Sequence, residues 1–161
     1  MKIVLLADTH LPSGRNKLPS RLLEACGTAD LIIHAGDWKS MQVYEELSQY
    51  AEVIGVSGNV DDEDIRRSFP LKQTVEVSDY RIGIVHGHGE GKTTEKRALE
   101  AFEDEAVDII VFGHSHIPMM RYAGKTLMIN PGSPTAKRKL PNYSFCILHI
   151  EQEVRVEFVF L

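Results

Sequence analysis

Apolar positions along the chain fall first into short, nearly continuous runs at residues 3–7, 31–35 and 53–57. Each is too brief for a helix, and a run without polar alternation predicts a strand covered on both faces, as in a parallel sheet. Between these runs the spacing becomes helical: Leu18, Leu22 and Cys26 with Gly27 as the stop, then Val43, Leu47 and Tyr50. Such alternation predicts right-handed βαβ units and an α/β layer. Beyond Pro70 the rhythm changes. Residues 74–77 and 81–85, separated by Ser78-Asp79-Tyr80, predict a hairpin. Leu99, Phe102 and Ala106 then predict a helix over residues 93–105, with Glu95 favourably in its first turn. A strand is expected at 109–112, and β-structure at 119–122, 127–129, 145–150 and 154–160, with a turn at Ala123-Gly124-Lys125.

Composition narrows what these elements can build. With 161 residues, 43% of them apolar, the chain is expected to form a single domain over 1–161 whose core needs no disulfide. Its opening resembles the start of a signal peptide, but Asp8 and His10 end the apolar run too early. No run approaches the ~18 apolar residues of a membrane span, so a soluble protein is expected. The net charge of -5 argues against general binding of nucleic acid or anionic membrane. Cys26 and Cys146 match no close metal-binding spacing and read as buried, reduced thiols, which implies a cytoplasmic protein.

The chemistry lies where the strands end. Asp8-Thr9-His10, Gly36-Asp37, Gly58-Asn59, His86-Gly87-His88 and Gly113-His114-Ser115-His116 each follow an apolar run. In open α/β sheets ligands collect beyond the carboxyl ends of strands, so the five endings can converge. Singly, each has an ordinary explanation as a turn, cap or strand exit. Jointly they predict a metal centre. Alternation along an extended segment would let Asp8 with His10, and His114 with His116, each act as a pincer. Imidazole, carboxylate and amide oxygen suit Mn²⁺, Fe²⁺, Ni²⁺ or Zn²⁺, and the thiolate set of structural zinc is missing.

The order D-x-H, G-D, G-N, histidine, G-H-x-H resembles that of the calcineurin-like metallophosphoesterase superfamily. The short chain and Asn59-Val60-Asp61 look most like its small YfcE-like phosphodiesterase branch. The resemblance implies a four-layer α/β/β/α sandwich of two facing mixed sheets flanked by helices. It also implies two divalent cations, Mn²⁺ first among them: one on Asp8, His10 and His116, the other on Asn59, His86 and His114, with Asp37 bridging. Cations roughly 3.5 to 4 Å apart would share a hydroxide that attacks phosphorus in line. Many members carry histidine directly after G-N, where this chain has Val60. Without that proton donor, poor activity on alkyl leaving groups is expected.

Smaller features keep two readings each. His88 either faces the substrate phosphate, as a catalytic candidate beside Asn59, or is an exposed loop histidine. Asn130-Pro131-Gly132-Ser133 resembles a family loop at the metal edge, or is a tight turn. Asp61 either orients Asn59 or caps the helix after it. His34 and His149 read as core histidines, and Lys137-Arg138-Lys139 either steers phosphates or is solvated surface. Trp38 and Met119-Met120 line a pocket or pack a core.

Three functions compete. The first is a phosphodiesterase acting on a small or nucleotide-like phosphate ester. The second is a phosphomonoesterase. The third is a protein-binding scaffold similar to the retromer subunit of this fold, with a residual metal site; the intact ligand set, His86 included, speaks against it. A nuclease fits poorly with the negative charge. An apolar edge at Phe158, Val159 and Phe160 suggests a homo-oligomer.

Overall fold

The computed structural model describes residues 1–14 and 17–161. The first half follows the predicted alternation: β1 (Lys2–Leu6), α1 (Ser20–Cys26), β2 (Leu31–His34), α2 (Met41–Leu47), β3 (Glu52–Gly55) and α3 (Glu63–Ser68). Then come β4 (Lys72–Val77), β5 (Tyr80–Val85), α4 (Thr94–Glu100) and β6 (Ile109–Phe112). β7 (Met119–Ala123), β8 (Thr126–Asn130), β9 (Ser144–Ile150) and β10 (Val154–Phe160) complete the chain. Residues 109–112 and 154–160 have their predicted ends. The first three strands stop a residue or two short, because the chain turns sharply where the candidate ligands begin.

Two mixed five-stranded sheets result, ordered β10-β9-β1-β2-β3 and β4-β5-β6-β8-β7. β1, β2 and β3 pair in parallel, with Ile3 opposite Leu31 and Ile32 opposite Val53, whereas β9 joins β1 antiparallel. In the second sheet β5, β6 and β8 are parallel, and β4 and β7 are antiparallel edges. Period-two alternation sends Ile3 and Leu5 between the sheets, against Ile82, Ile84 and Val111. Val4 and Leu6 face outward onto Leu22 and Cys26 of α1 and Val43 and Leu47 of α2. Ala98 of α4 and Phe102 cover Ile110 and Phe112 on the far side. The layers are therefore α/β/β/α, as the resemblance implied.

Some expectations shift. The helix predicted over 93–105 ends at Glu100, and residues 101–104 continue as turns. Gly27 does end α1, but with φ −63° in a right-handed conformation that needs no glycine. Asp61 caps no helix; Asp62 does, accepting the Ile65 N–H at 3.0 Å. Trp38 packs fully buried in the core, and Met120 stands half exposed on β7. His34 is fully buried as expected, while His149 is only half-buried. Among the described residues no helix is long and apolar enough to cross a membrane.

Candidate metal centre

The carboxyl ends of β1, β2, β5 and β6 open at one edge of the sandwich, and the pairing of β1 with β2 continues into their loops. Asp8 N–H donates to Gly36 O at 2.9 Å and His10 N–H to Asp37 O at 3.0 Å. The backbone there is not extended. Asp8, His10, Asp37, His114 and His116 all have positive φ, between 49° and 65°. For L-residues this left-handed conformation costs about 1–2 kcal/mol each, and such strain gathers where geometry must serve chemistry. Gly36, at φ +90°, lies so close to His86 that an added Cβ would sit 2.9 Å from its Nδ1.

The side chains gather in two groups, Asp8, His10 and His116 in one, Asp37, His86 and His114 in the other, each with donor atoms within 4.8 Å of one another. His114 and His116 thus point to different groups, so the pincer expected of an extended G-H-x-H does not form. Left-handed turns replace the alternation. The groups adjoin: His10 Nε2 is 3.6 Å from Asp8 Oδ1 and 3.5 Å from Asp37 Oδ2, and His86 Nε2 is 3.1 Å from Asp37 Oδ2. Asn59 Oδ1 meets His114 Nδ1 at 3.1 Å, which brings the G-N loop to the second group.

Main-chain partners fix the ring orientations. His86 Nδ1–H donates to Ala35 O at 2.8 Å and His116 Nδ1–H to Ala136 O, leaving each Nε2 lone pair turned inward. Among the described residues, both oxygens of the fully buried Asp8 and Nε2 of His86 lack hydrogen-bond partners. Buried anionic oxygens in that condition are costly unless a cation meets them. Carboxylate and imidazole donors in two triads fit two divalent cations of borderline to hard character.

Charge responds to this crowding. Burial would raise the Asp8 and Asp37 carboxyls, but the imidazoles of His10 and His116 around Asp8, and of His86 beside Asp37, hold both below the ordinary range. Burial depresses His114 to about 4, helped by nearby His86, so its ring is neutral and free to ligate at pH 7. His88, also lowered by burial and by His86, stands with its ring 6.4 Å from that of His114. Its buried Nδ1 has no partner among the described residues. It is thus half-buried at the rim and not an exposed loop residue.

Residues 1–153 match the calcineurin-like phosphoesterase superfamily domain. The chain belongs to the calcineurin-like phosphoesterase superfamily. It is 32% identical to a probable metallophosphoesterase of Methanocaldococcus jannaschii, the match covering 99% of this chain and 81% of that one. A phosphodiesterase of the same organism is 30% identical over 82% of this chain and 83% of its own length. A single mutant of Vps29 from Entamoeba histolytica superposes with TM-score 0.79 at 23% identity, covering 100% and 99% of the two chains. That likeness shows the fold alone.

The loop over 130–133, singled out in the sequence for its resemblance to a metal-edge loop, supports the site, and Thr135 and His34 add supports that the sequence did not signal. Ser133 Oγ–H donates to Asp8 O at 2.7 Å and Thr135 Oγ1–H to Thr9 O at 2.5 Å, clamping the D-x-H turn from the loop after β8. Asn130 Nδ2 donates to Gly113 O at 2.9 Å and so supports the strand end before His114. His34 takes the Gly36 N–H on Nδ1 and donates from Nε2 to Thr9 Oγ1 at 3.1 Å. Hydroxyls at 133 and 135 leave no periodic signal, since their partners lie 125 and 126 residues away.

Proposed function

We propose that this chain is a single-domain, cytoplasmic phosphodiesterase that hydrolyses a small or nucleotide-like phosphate ester with two divalent cations. The adjoining donor triads carry the reading. Asp8, His10 and His116 would hold one cation and Asn59, His86 and His114 the other, with Asp37 between them. Bound there, the cations would supply Lewis acidity toward phosphoryl oxygens and a water acidic enough to attack at neutral pH. Mn²⁺ is the first candidate, with Ni²⁺, Zn²⁺ and Fe²⁺ as alternatives. The chain's own part is to hold Asp37 by its Oδ1, which accepts the Val60 N–H at 3.0 Å, and to aim the Nε2 atoms of His86 and His116 inward. Homology to a named phosphodiesterase supports diester over monoester substrates. Two free, buried thiols fit a reducing compartment.

A protein-binding scaffold with a residual metal site is the second reading, favoured by the Vps29-like fold. It gives no reason for five candidate ligands to keep a costly left-handed backbone.

Hydrolysis of bis(p-nitrophenyl) phosphate and p-nitrophenyl phosphate by apoprotein reloaded with Mn²⁺, Ni²⁺, Zn²⁺ or Mg²⁺ tests the proposal, with Asp37→Ala as control. Metal-dependent diester cleavage that the substitution abolishes is expected. Cleavage of the monoester alone makes the protein a phosphomonoesterase, and no turnover with two ions bound favours the scaffold.

A further inference from the structure

Beside Asn59 the surface sinks into a groove of about 550 Å³ lined by Gly58, Asn59, Arg66, Phe69, Leu71 and His88. Its two ends differ in chemistry. Toward the metal centre lie the Asn59 amide, the His88 ring and the Arg66 guanidinium. At the other lie Phe69, Pro70 and Leu71, the last 65% exposed. A hollow of about 660 Å³ near the turn between β9 and β10 is larger, but its lining of Glu151, Gln152, Glu153 and Arg155 includes no residue of the centre.

The arginines of α3 are used unequally. Arg67 pairs with Glu63 at 2.6 Å and Asp64 at 3.9 Å, whereas Arg66 has no ion pair among the described residues. Among the described residues Arg66 makes one hydrogen bond, from Nη2 to Asn59 O at 3.0 Å, which holds the guanidinium over the G-N loop and leaves its other donors without partners there. An arginine without a counter-charge beside a phosphoester centre is suited to an anionic oxygen. The apolar end is firm. Phe69 stacks on the buried Trp38 at 4.8 Å and 21°, and Pro70 O accepts the Ser57 N–H at 2.8 Å. A flat wall presenting an aromatic and a leucine matches a planar organic group.

We propose that this groove is the subsite for one ester group of the substrate. It takes a planar aryl or heteroaryl group against Phe69 and Leu71 while Arg66 meets a non-bridging phosphoryl oxygen. The inference rests on the phosphodiesterase reading above and adds the class of ester that the site prefers. It also gives the exposure of Leu71 a purpose, since that side chain covers no core.

Binding of diphenyl phosphate and dimethyl phosphate to Mg²⁺-loaded, ¹⁵N-labelled protein tests it without turnover. Diphenyl phosphate is expected to shift the amides of Phe69 and Leu71 and the Nε–H of Arg66, and to bind about tenfold tighter than dimethyl phosphate, the low end of what one apolar contact discriminates. Leu71→Ser should remove that preference and leave dimethyl phosphate unchanged. Arg66→Gln should weaken both by about tenfold, as expected for a charged hydrogen bond, and Arg67→Gln neither. Equal affinity for the two phosphates, binding that leaves residues 69–71 unshifted, or no binding of either overturns the subsite. Shifts at the groove with no hydrolysis of bis(p-nitrophenyl) phosphate would remove the enzymatic reading and keep the subsite; hydrolysis without those shifts would do the reverse.

Discussion

Asp61 Oδ2 accepts the main-chain N–H of Asp37 at 3.1 Å, joining the turn after Gly58 to the turn after β2. The same oxygen takes the Gly58 N–H at 2.7 Å, and Oδ1 takes that of Lys39 at 2.7 Å. One buried carboxylate thus holds both sides of the proposed bridging residue. Burial pushes its pKa up, opposed by the three N–H donors.

Asp61→Ala strands those donors, each unmet buried donor costing about 1–3 kcal/mol. A stability loss of about 3 kcal/mol or more is expected in urea unfolding, with divalent-metal affinity down roughly 10- to 100-fold by titration calorimetry. Asp61→Asn should fall between, since one side of an amide cannot accept. Wild-type metal affinity in Asp61→Ala would mean that Asp37 is placed by other contacts.

Gly58 is the second device. A Cβ there would lie 2.1 Å from Asp37 Oδ1 and 2.6 Å from its main-chain N, so Gly58→Ala must displace the carboxylate. Overpacking of this kind costs about 1–3 kcal/mol, and a displacement near 1 Å at a reacting centre lowers rates about 10²-fold. Circular dichroism should show a folded protein with that loss of diester turnover. Full activity would place the chemistry elsewhere.

The layers and the gathering of Asp8, His10, Asp37, His86, His114 and His116 at one edge were both legible because each is written locally. Unbroken apolar runs such as Ile3 to Leu6 can only be strands covered twice, and D-x-H or G-H-x-H names its residues within four positions. What binds these motifs together was not legible. The alternation argument placed His114 and His116 on one side, whereas positive φ at both turns them to separate groups. Asp61 kept two readings, as a cap or as a partner that orients Asn59, because neither looks different in sequence from a residue that folds back to a loop 24 positions earlier.

The buried His34 gives the fold an acid limit. Burial depresses its pKa from 6.5 to about 3, so the folded state holds it neutral while the unfolded chain protonates it below 6.5. Its contribution is complete above pH 6.5 and is lost as pH falls toward 3. The lowered carboxyls of Asp8 and Asp37 lose stability in the same direction. The readout is therefore a difference: His34→Phe, which keeps a ring stacked on Trp38, should show a shallower fall of Tm between pH 7 and 4 than the wild type. Parallel curves would assign the acid sensitivity to the carboxyls alone.

Val60 sets the last expectation. Its N–H donates to Asp37 Oδ1, while its side chain is 36% exposed and offers no proton to a departing alkoxide. General acid catalysis is worth ~10²- to 10⁴-fold, and an aryl oxide needs little of it because it leaves as a stable anion. Aryl diesters should therefore turn over much faster than alkyl diesters. Val60→His places an imidazole where many relatives of this superfamily carry one, and it should raise alkyl turnover toward that range while changing aryl turnover little. Steady-state rates on matched methyl and p-nitrophenyl esters decide the matter. Equal wild-type rates on both would show that another group, with His88 the nearest candidate, already protonates the leaving oxygen.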